Sequence, residues 1–173
     1  MVKTNGTGSI ERGNSGDGGG CCVGARRRYI GDETSRDDMT MTVSYQSRFK
    51  IVDVEALGCD LKDTPNGKKL CEFKDETTPQ IRIKFIPNET TSNLTTQIKA
   101  KIGETFLEFP MADSDACKYG VKCPVEEGKE SVYEKGIEII SNYPKDETVQ
   151  VNWLLNKNKE KAVCIIFLAR IVA

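Results

Sequence analysis

Apolar and polar side chains alternate along much of this chain with a period of two, which is typical of strands buried on one face. The final run, Val163–Val172, is instead apolar at both parities, as in a central strand covered on both faces. The apolar members of the three alternating runs are Ile81, Ile83 and Phe85, then Ile98, Ala100 and Ile102, then Val149, Val151, Trp153 and Leu155. The pattern predicts a protein built from β-strands.

Turn-forming residues separate these runs, among them Pro65-Asn66-Gly67, Pro87-Asn88 and Gly103-Glu104. Their spacing predicts about eight short strands, and no apolar stripe with a helical period stands out. Many short strands between turns are typical of a β-sandwich. No unit of about 20–50 residues repeats, which argues against a solenoid or a propeller. We therefore expect an all-β sandwich.

Composition removes several functional classes. The 173 residues include no histidine, which excludes most zinc sites and the Ser-His and Cys-His nucleophile pairs of many enzymes. The 25 basic and 26 acidic residues nearly cancel, so no nucleic-acid footprint is expected. No apolar run approaches the ~20 residues of a membrane-spanning helix. These features predict a protein that is not an enzyme and needs no metal or cofactor.

The first 40 residues differ in composition from the rest. Gly13–Gly20 contains only Gly, Ser, Asp and Asn, and Arg26–Arg28 form a basic clump. Such a segment buries too little apolar surface to fold, so residues 1–40 are predicted to be a disordered leader and 41–173 the folded domain. The basic clump is either a solvated tail or a localisation or anion-binding patch. Met1–Asn14 lacks the apolar core of a signal peptide.

The seven cysteines indicate disulfide bonds. Cys117 and Cys123 are too far apart for a CxxC redox motif and lack the partners of a zinc site, so a small disulfide loop fits better. Cys59 and Cys71 bracket the Pro-Asn-Gly turn, a natural hairpin for a second bridge. Buried free thiols in a cytosolic protein are the alternative.

Two glycosylation sequons lie close together between predicted strands, at Asn88-Glu89-Thr90 and Asn93-Leu94-Thr95. A third, Asn5-Gly6-Thr7, lies in the leader. Each is weak evidence alone, but together with the cysteines they favour an oxidising secretory compartment and glycosylation at Asn88 and Asn93.

A longer set of motifs resembles the ML lipid-recognition family, over roughly residues 50–173. Within that family the chain looks most like the soluble Niemann–Pick type C sterol carriers of arthropods, and it is similar to the group-two mite allergens. The motifs, in order, are Val52-Asp53-Val54, Gly58-Cys59, Phe106–Pro110, Asp115-Ala116-Cys117, Cys123-Pro124-Val125, Tyr143-Pro144, Val149–Leu155 and Val163-Cys164.

The resemblance implies an immunoglobulin-like sandwich of about seven to nine strands, with a lipid tunnel between the two sheets. It implies the bridges Cys59–Cys71 and Cys117–Cys123. Matched to the family's motifs, Phe109, Ile139 and Tyr143 line the mouth and wall of the tunnel. Six more apolar residues are candidates for its lining, with plain core packing as the alternative: Leu107, Val151, Trp153, Phe85, Ile98 and Ile102.

The chain departs from the family at its first cysteine. Counting back from Cys59, that cysteine falls near Asp38–Met39, where this sequence has none, which leaves Cys164 without its family partner. Cys21 or Cys22 could take its place, but their spacing is wrong.

The expected function is binding and transport of a sterol, with a fatty-acid or semiochemical carrier, or recognition of microbial lipid, as alternatives. Expected partners are a sterol or fatty acid and a membrane sterol acceptor protein. We expect a monomer without a membrane segment, located outside the cell or in the endosome–lysosome lumen despite the missing signal peptide.

Overall fold

The computed structural model describes residues 42–43, 47–66 and 68–173. Apart from a single 3-10 turn at Ala116–Lys118, the regular structure in these residues is β-strand. The predicted leader lies outside them. The ten strands are β1 Thr42–Val43, β2 Lys50–Leu57, β3 Asp60–Asp63, β4 Lys69–Lys74, β5 Gln80–Ile86, β6 Thr95–Ile102, β7 Thr105–Glu108, β8 Ser131–Gly136, β9 Val149–Lys157 and β10 Glu160–Val172.

The strands form two sheets of unequal width, which we call the large sheet and the small sheet. The large sheet has seven strands, in the order β3-β4-β10-β9-β6-β7, with β1 also paired to β10. The small sheet has three strands, in the order β2-β5-β8. Neighbouring strands run antiparallel, except that β10 and β4 are parallel. The two-sheet, all-β architecture confirms the predicted fold class.

Strand β5 shows why the alternating pattern was informative. Ile81, Ile83 and Phe85 are buried at 2%, 0% and 0% exposure, and they face the large sheet. Between them, Arg82 points outward, where its guanidinium contacts Glu134 at 2.7 Å and Glu55 at 2.9 Å. One face of the strand is therefore core, and the other is a solvent-facing ion-pair surface.

Strand β10 lies in the middle of the large sheet and is covered on both faces, as its sequence predicts. Val163 and Ile165 belong to the core between the two sheets. The alternate residues Cys164 and Ile166 form a second buried cluster with Leu154 on the opposite face. Burial on both sides explains why this strand carries apolar residues at both parities.

Aromatic contacts lie both within the small sheet and between the two sheets. Phe85 of β5 stacks on Phe49, the residue before β2, with ring centroids 5.9 Å apart. Tyr133 of β8 meets Trp153 of β9 edge-to-face at 6.3 Å, and both rings are fully buried. These contacts belong to a single apolar cluster that spans the space between the sheets.

The two predicted disulfides are present. Cys59 and Cys71 join the β2–β3 turn to β4 with their Cα atoms 5.4 Å apart, and Cys117 pairs with Cys123 at 5.7 Å. The free-thiol alternative is therefore wrong for these four residues. Cys164 is also disulfide-bonded, and the candidate partners Cys21 and Cys22 lie outside the described residues.

The strand count exceeds the sequence-based expectation of about eight. The additional strands are short: β1 has two residues, and β3 and β7 have four each. Strands of this length carry too few alternating positions to register as a pattern in the sequence. None of the described residues belongs to a helix long and apolar enough to cross a membrane.

The core between the sheets should carry most of the stability. Replacing the fully buried Ile83 by alanine should lower the free energy of unfolding by about 2–5 kcal/mol, because it leaves a cavity between the sheets. Val52→Ala is the control, since Val52 is 46% exposed, and it should cost less than about 1 kcal/mol. Urea denaturation of both variants measures the difference, and equal losses would contradict this placement of the core.

Candidate functional site

Two aromatic residues meet at the edge of the core, Phe109 after strand β7 and Tyr143 in the β8–β9 connection. Their ring centroids are 5.2 Å apart and the rings are tilted by 51°. Both are partly buried and pack against the core cluster. The Phe109 N–H donates a hydrogen bond to the Ile98 carbonyl at 2.8 Å, which extends the β6–β7 ladder and fixes where this ring lies. We call this pair the aromatic rim.

Ile139 belongs to the same cluster and is 6% exposed. Its backbone is bound on both sides by the segment before β5. The Ile139 N–H donates to the Thr77 carbonyl at 2.9 Å, and its own carbonyl accepts from the Glu76 N–H at 3.1 Å. The structure thus brings together, in one apolar cluster, the three residues that the family resemblance singled out.

The Tyr143 loop is held from several directions. The Tyr143 N–H donates to the Ile140 carbonyl at 3.1 Å, and the Asp146 N–H donates to the Ile171 carbonyl at 2.9 Å. An ion pair also joins the Lys145 ammonium to the Asp75 carboxylate. Burial raises the pKa of Tyr143, and the negative charge of Glu138 adds to the shift. The hydroxyl therefore stays protonated at neutral pH and can donate a hydrogen bond.

Four further candidates lie on the inner faces of the sheets. Phe85 comes from β5, Ile98 from β6, and Val151 and Trp153 from β9. Ile98 and Trp153 are register neighbours in the large sheet. Val151 is partly buried, whereas the other three are at most 2% exposed. All four contact the same cluster as the aromatic rim.

The two remaining candidates, Ile102 and Leu107, are not brought into this group. Ile102 is 38% exposed and Leu107 is 53% exposed. Leu107 lies on β7, an edge strand that pairs only with β6, and Ile102 ends β6 at the Gly103 turn. Both positions lie beyond the part of the large sheet that the three-stranded sheet covers. The alternation of apolar and polar residues predicts that these segments are strands, but it does not predict how much of the large sheet the small sheet covers.

Tyr133 is an inner-wall residue that sequence reasoning missed. It is fully buried on β8, and its hydroxyl accepts a hydrogen bond from Thr96 at 2.9 Å. Burial raises the pKa of Tyr133 well above its usual value, and it outweighs the opposing effect of the Thr96 hydrogen bond. The signal was weak because Tyr133 shares its strand parity with Lys135, whose charge disguises an inward-facing position.

A chain segment crosses between the two sheets beside the aromatic rim. We call residues 109–119 the crossing segment. On the large-sheet side, the Thr96 N–H donates to the Ser114 carbonyl at 2.6 Å. On the small-sheet side, the Glu134 N–H donates to the Tyr119 carbonyl at 2.9 Å. The segment therefore closes one edge of the sandwich.

Local polar contacts stiffen the far end of this segment. The Asp115 carboxylate accepts from the Cys117 N–H at 3.0 Å, and Asp113 binds the Lys118 ammonium at 2.8 Å. The Lys118 hydrogen bond is the main reason that the pKa of Asp113 is lowered. At Gly120, with φ +86°, a side-chain Cβ would lie only 3.0 Å from the Val132 carbonyl oxygen. The chain can pass this close to β8 because a glycine is there.

A groove of about 620 Å³ opens beside Phe109. Its size is within the range of small-ligand sites. Phe109, Pro110 and Met111 supply its apolar side. A polar side is formed by Gln97, whose amide donates to Glu108 at 3.0 Å and accepts from Asn156 at 3.3 Å. The groove thus lies next to the aromatic rim and has one apolar wall and one polar wall.

The described residues hold no group of three or more His, Cys, Asp or Glu side chains placed to bind a metal ion. The two predicted glycosylation sites lie in the β5–β6 connection, and both Asn88 and Asn93 are exposed.

Comparison with known proteins shows the family. Residues 40–171 match the family model of the ML domain. The chain is 47% identical over 120 residues to the protein heh-1 of Caenorhabditis elegans, covering 68% of this chain and 77% of that protein. It is 30% identical over 130 residues to NPC intracellular cholesterol transporter 2 homolog a of Drosophila melanogaster, covering 74% and 82%. The chain belongs to the ML domain family, which confirms the resemblance found in its motifs.

A solved structure supports the fold independently. The Niemann-Pick type C2 protein of the Japanese carpenter ant superimposes with a TM-score of 0.66 at 23% identity, covering 77% of this chain and 99% of that one. At this level of identity, the likeness concerns the arrangement of the two sheets.

The burial of Tyr133 predicts a distinctive alkaline titration. Because its pKa in the folded state lies above the unfolded value of about 10, its contribution to stability is complete below that pH and is lost as the pH rises. The phenolate absorbance of Tyr133 should therefore appear only when the protein unfolds. Tyr133→Phe should remove this late phase, and Tyr143→Phe should leave it. A Tyr133 that ionises reversibly near its ordinary pKa in folded protein would contradict the placement.

Proposed function

We propose that this protein is a non-enzymatic lipid carrier that holds one hydrophobic lipid between its two sheets, with the aromatic rim as the entrance. The observation that carries the proposal is the continuity of the apolar cluster. The partly buried Phe109 and Tyr143 pack against the same cluster of buried apolar residues that contains Ile139 and Trp153. A lipid that enters between these two rings therefore meets mainly apolar surface.

The free energy available from such binding is sufficient. Burying ~400 Å² of lipid surface at ~25 cal/mol/Å² corresponds to a gross gain of ~10 kcal/mol. Association and ordering costs reduce that gain, and what remains supports micromolar binding without any ion pair. The partly buried residues at the edge of the cluster are the ones that can move aside most easily, because they have fewer packing contacts to lose.

A cholesterol-like sterol is the first ligand that we propose. Support comes from the Drosophila relative, whose name describes a cholesterol transporter, and from the family motifs around Phe109 and Tyr143. A fatty-acid or semiochemical carrier and a receptor for microbial lipid are the alternatives. Binding of lipid A or peptidoglycan with little affinity for sterol would favour the last of these.

We further propose that the protein works as a monomer in an oxidising compartment, either secreted or in the endosome–lysosome lumen, and passes its lipid to a membrane acceptor. The two disulfides and the exposed sequon asparagines Asn88 and Asn93 support the compartment. A mass decrease on enzymatic removal of N-glycans from the natural protein tests it.

Replacing Phe109 by alanine should weaken binding of a fluorescent sterol by about tenfold or more, because it removes half of the aromatic rim. The loss of one partly buried aromatic contact of about 1.4 kcal/mol or more has an effect of this size. Displacement titration with unlabelled cholesterol measures it, and the urea midpoint of the variant shows whether the fold persists.

Phe106→Ala is the matched control for this experiment. Phe106 lies three positions earlier on β7, where its ring is 5.8 Å from the Lys101 ammonium, and it is not part of the core cluster. This variant should bind sterol like the unchanged protein. Equal loss in both variants, or unchanged binding in a folded Phe109→Ala protein, would contradict the proposed entrance.

A further inference from the structure

Lys135 is a charged side chain on the inner face of the small sheet. It lies two residues after the buried Tyr133 on β8 and is in register with Ile81 of β5. Because side chains alternate between the two faces of a strand, the Cβ of Lys135 points toward the core face. Lys135 is only 8% exposed, and lysine is seldom buried to this degree unless it is paired.

The partners of this ammonium group are neutral. Its Nζ donates to the backbone carbonyl of Asp113 at 3.1 Å and lies 3.2 Å from the centroid of the Tyr119 ring. Among the described residues, no carboxylate forms an ion pair with it. The Asp113 carboxylate, which is close enough to sense its charge, is instead hydrogen-bonded to Lys118. Lys135 is thus a buried cation without an ion-pair partner in the described chain.

Lys135 lies next to the proposed lipid site. Asp113 and Tyr119 both belong to the crossing segment, which begins at Phe109 of the aromatic rim. Tyr119 is itself a partly buried member of the core cluster, as is Ile137, two residues beyond Lys135 on the same parity. The ammonium is therefore at the closed edge of the sandwich, beside the apolar surface that a lipid would occupy.

A buried ammonium without a counter-charge is unfavourable, and a carbonyl and an aromatic face offset only part of its lost hydration. The ammonium can donate further hydrogen bonds, and a negatively charged oxygen is its strongest acceptor. Resting on the proposed lipid-carrier function, we propose that Lys135 binds an anionic group of the ligand, so that the domain selects lipids bearing a carboxylate, sulfate or phosphate over their neutral counterparts.

The test compares two matched ligand pairs on the full-length protein: cholesterol sulfate with cholesterol, and oleic acid with methyl oleate. Each pair shares its hydrocarbon part and differs in charge. Displacement of a fluorescent lipid should give at least about tenfold tighter binding for the anionic member of one or both pairs. The pair that shows the preference identifies whether the source is a sterol or an acyl lipid.

Lys135→Met keeps the length and apolar stem of the side chain while removing its charge. It should lower affinity for the anionic ligand about tenfold and leave affinity for the neutral one unchanged. Lys129→Met is the control, because it makes the same change in net charge at a side chain that is 68% exposed, and it should alter neither.

Three results would overturn this role for Lys135: equal binding of the charged and neutral members of both pairs, parallel losses for both ligands in a folded Lys135→Met protein, or the same selective loss in Lys129→Met. The first needs no variant and stands even if Lys135→Met does not fold. Any of them, obtained with a protein that still binds lipid, leaves the carrier function intact. A protein that binds none of the four ligands would instead contradict the carrier function itself.

Discussion

A three-stranded sheet packs against a seven-stranded sheet, and this difference in width determines which apolar residues are fully buried and which stay partly exposed. Where the two sheets overlap, Phe85, Tyr133 and Trp153 fill the space between them. The narrow sheet cannot cover the whole inner face of the wide one. Apolar residues near the limit of the overlap, such as Val151 and Phe109, are therefore only partly buried. The proposed entrance for lipid lies at the edge of the region where the small sheet packs over the large sheet.

The crossing segment supplies polar groups at the edge of the sandwich that it closes. It is tied to the large sheet through Phe109 and Ser114 and to the small sheet through Tyr119, so it closes one side of the sandwich. Its polar atoms, the Tyr143 hydroxyl and the Lys135 ammonium are among the groups near the apolar cluster that could orient a ligand. In the proposed carrier, the hydrophobic interior would supply affinity and distinguish lipids poorly from one another, whereas a few polar groups at the edge would discriminate among them.

The sequence was most informative where burial is regular. Ile81, Ile83 and Phe85 alternate strictly, and the structure buries all three. The disulfides of Cys59 and Cys117 were suggested by close cysteine spacing, and the family resemblance supplied the two pairings. Phe109, Ile139 and Tyr143 came from a family resemblance, since no periodicity separates a tunnel residue from a core residue.

Other features depended on tertiary structure that no local pattern carries. Ile102 and Leu107 look like core positions, but they lie beyond the reach of the small sheet. Lys135 looks like a solvated residue on an alternating strand, but the crossing segment covers it. Whether each of these side chains is buried depends on which distant segment packs over its strand. For Ile102 and Leu107 that segment would be the small sheet, and for Lys135 it is the crossing segment.

The proposed function requires that one lipid occupies the space between the sheets. Native mass spectrometry of the gently purified protein, offered cholesterol and oleic acid in turn, detects such a complex by its mass. We expect a species heavier by a single lipid per chain, and a smaller fraction of it when Phe109 is replaced by alanine, in line with the weaker binding expected for that variant. A protein that shows no lipid-bound species with either ligand, while remaining folded, would contradict the proposed function.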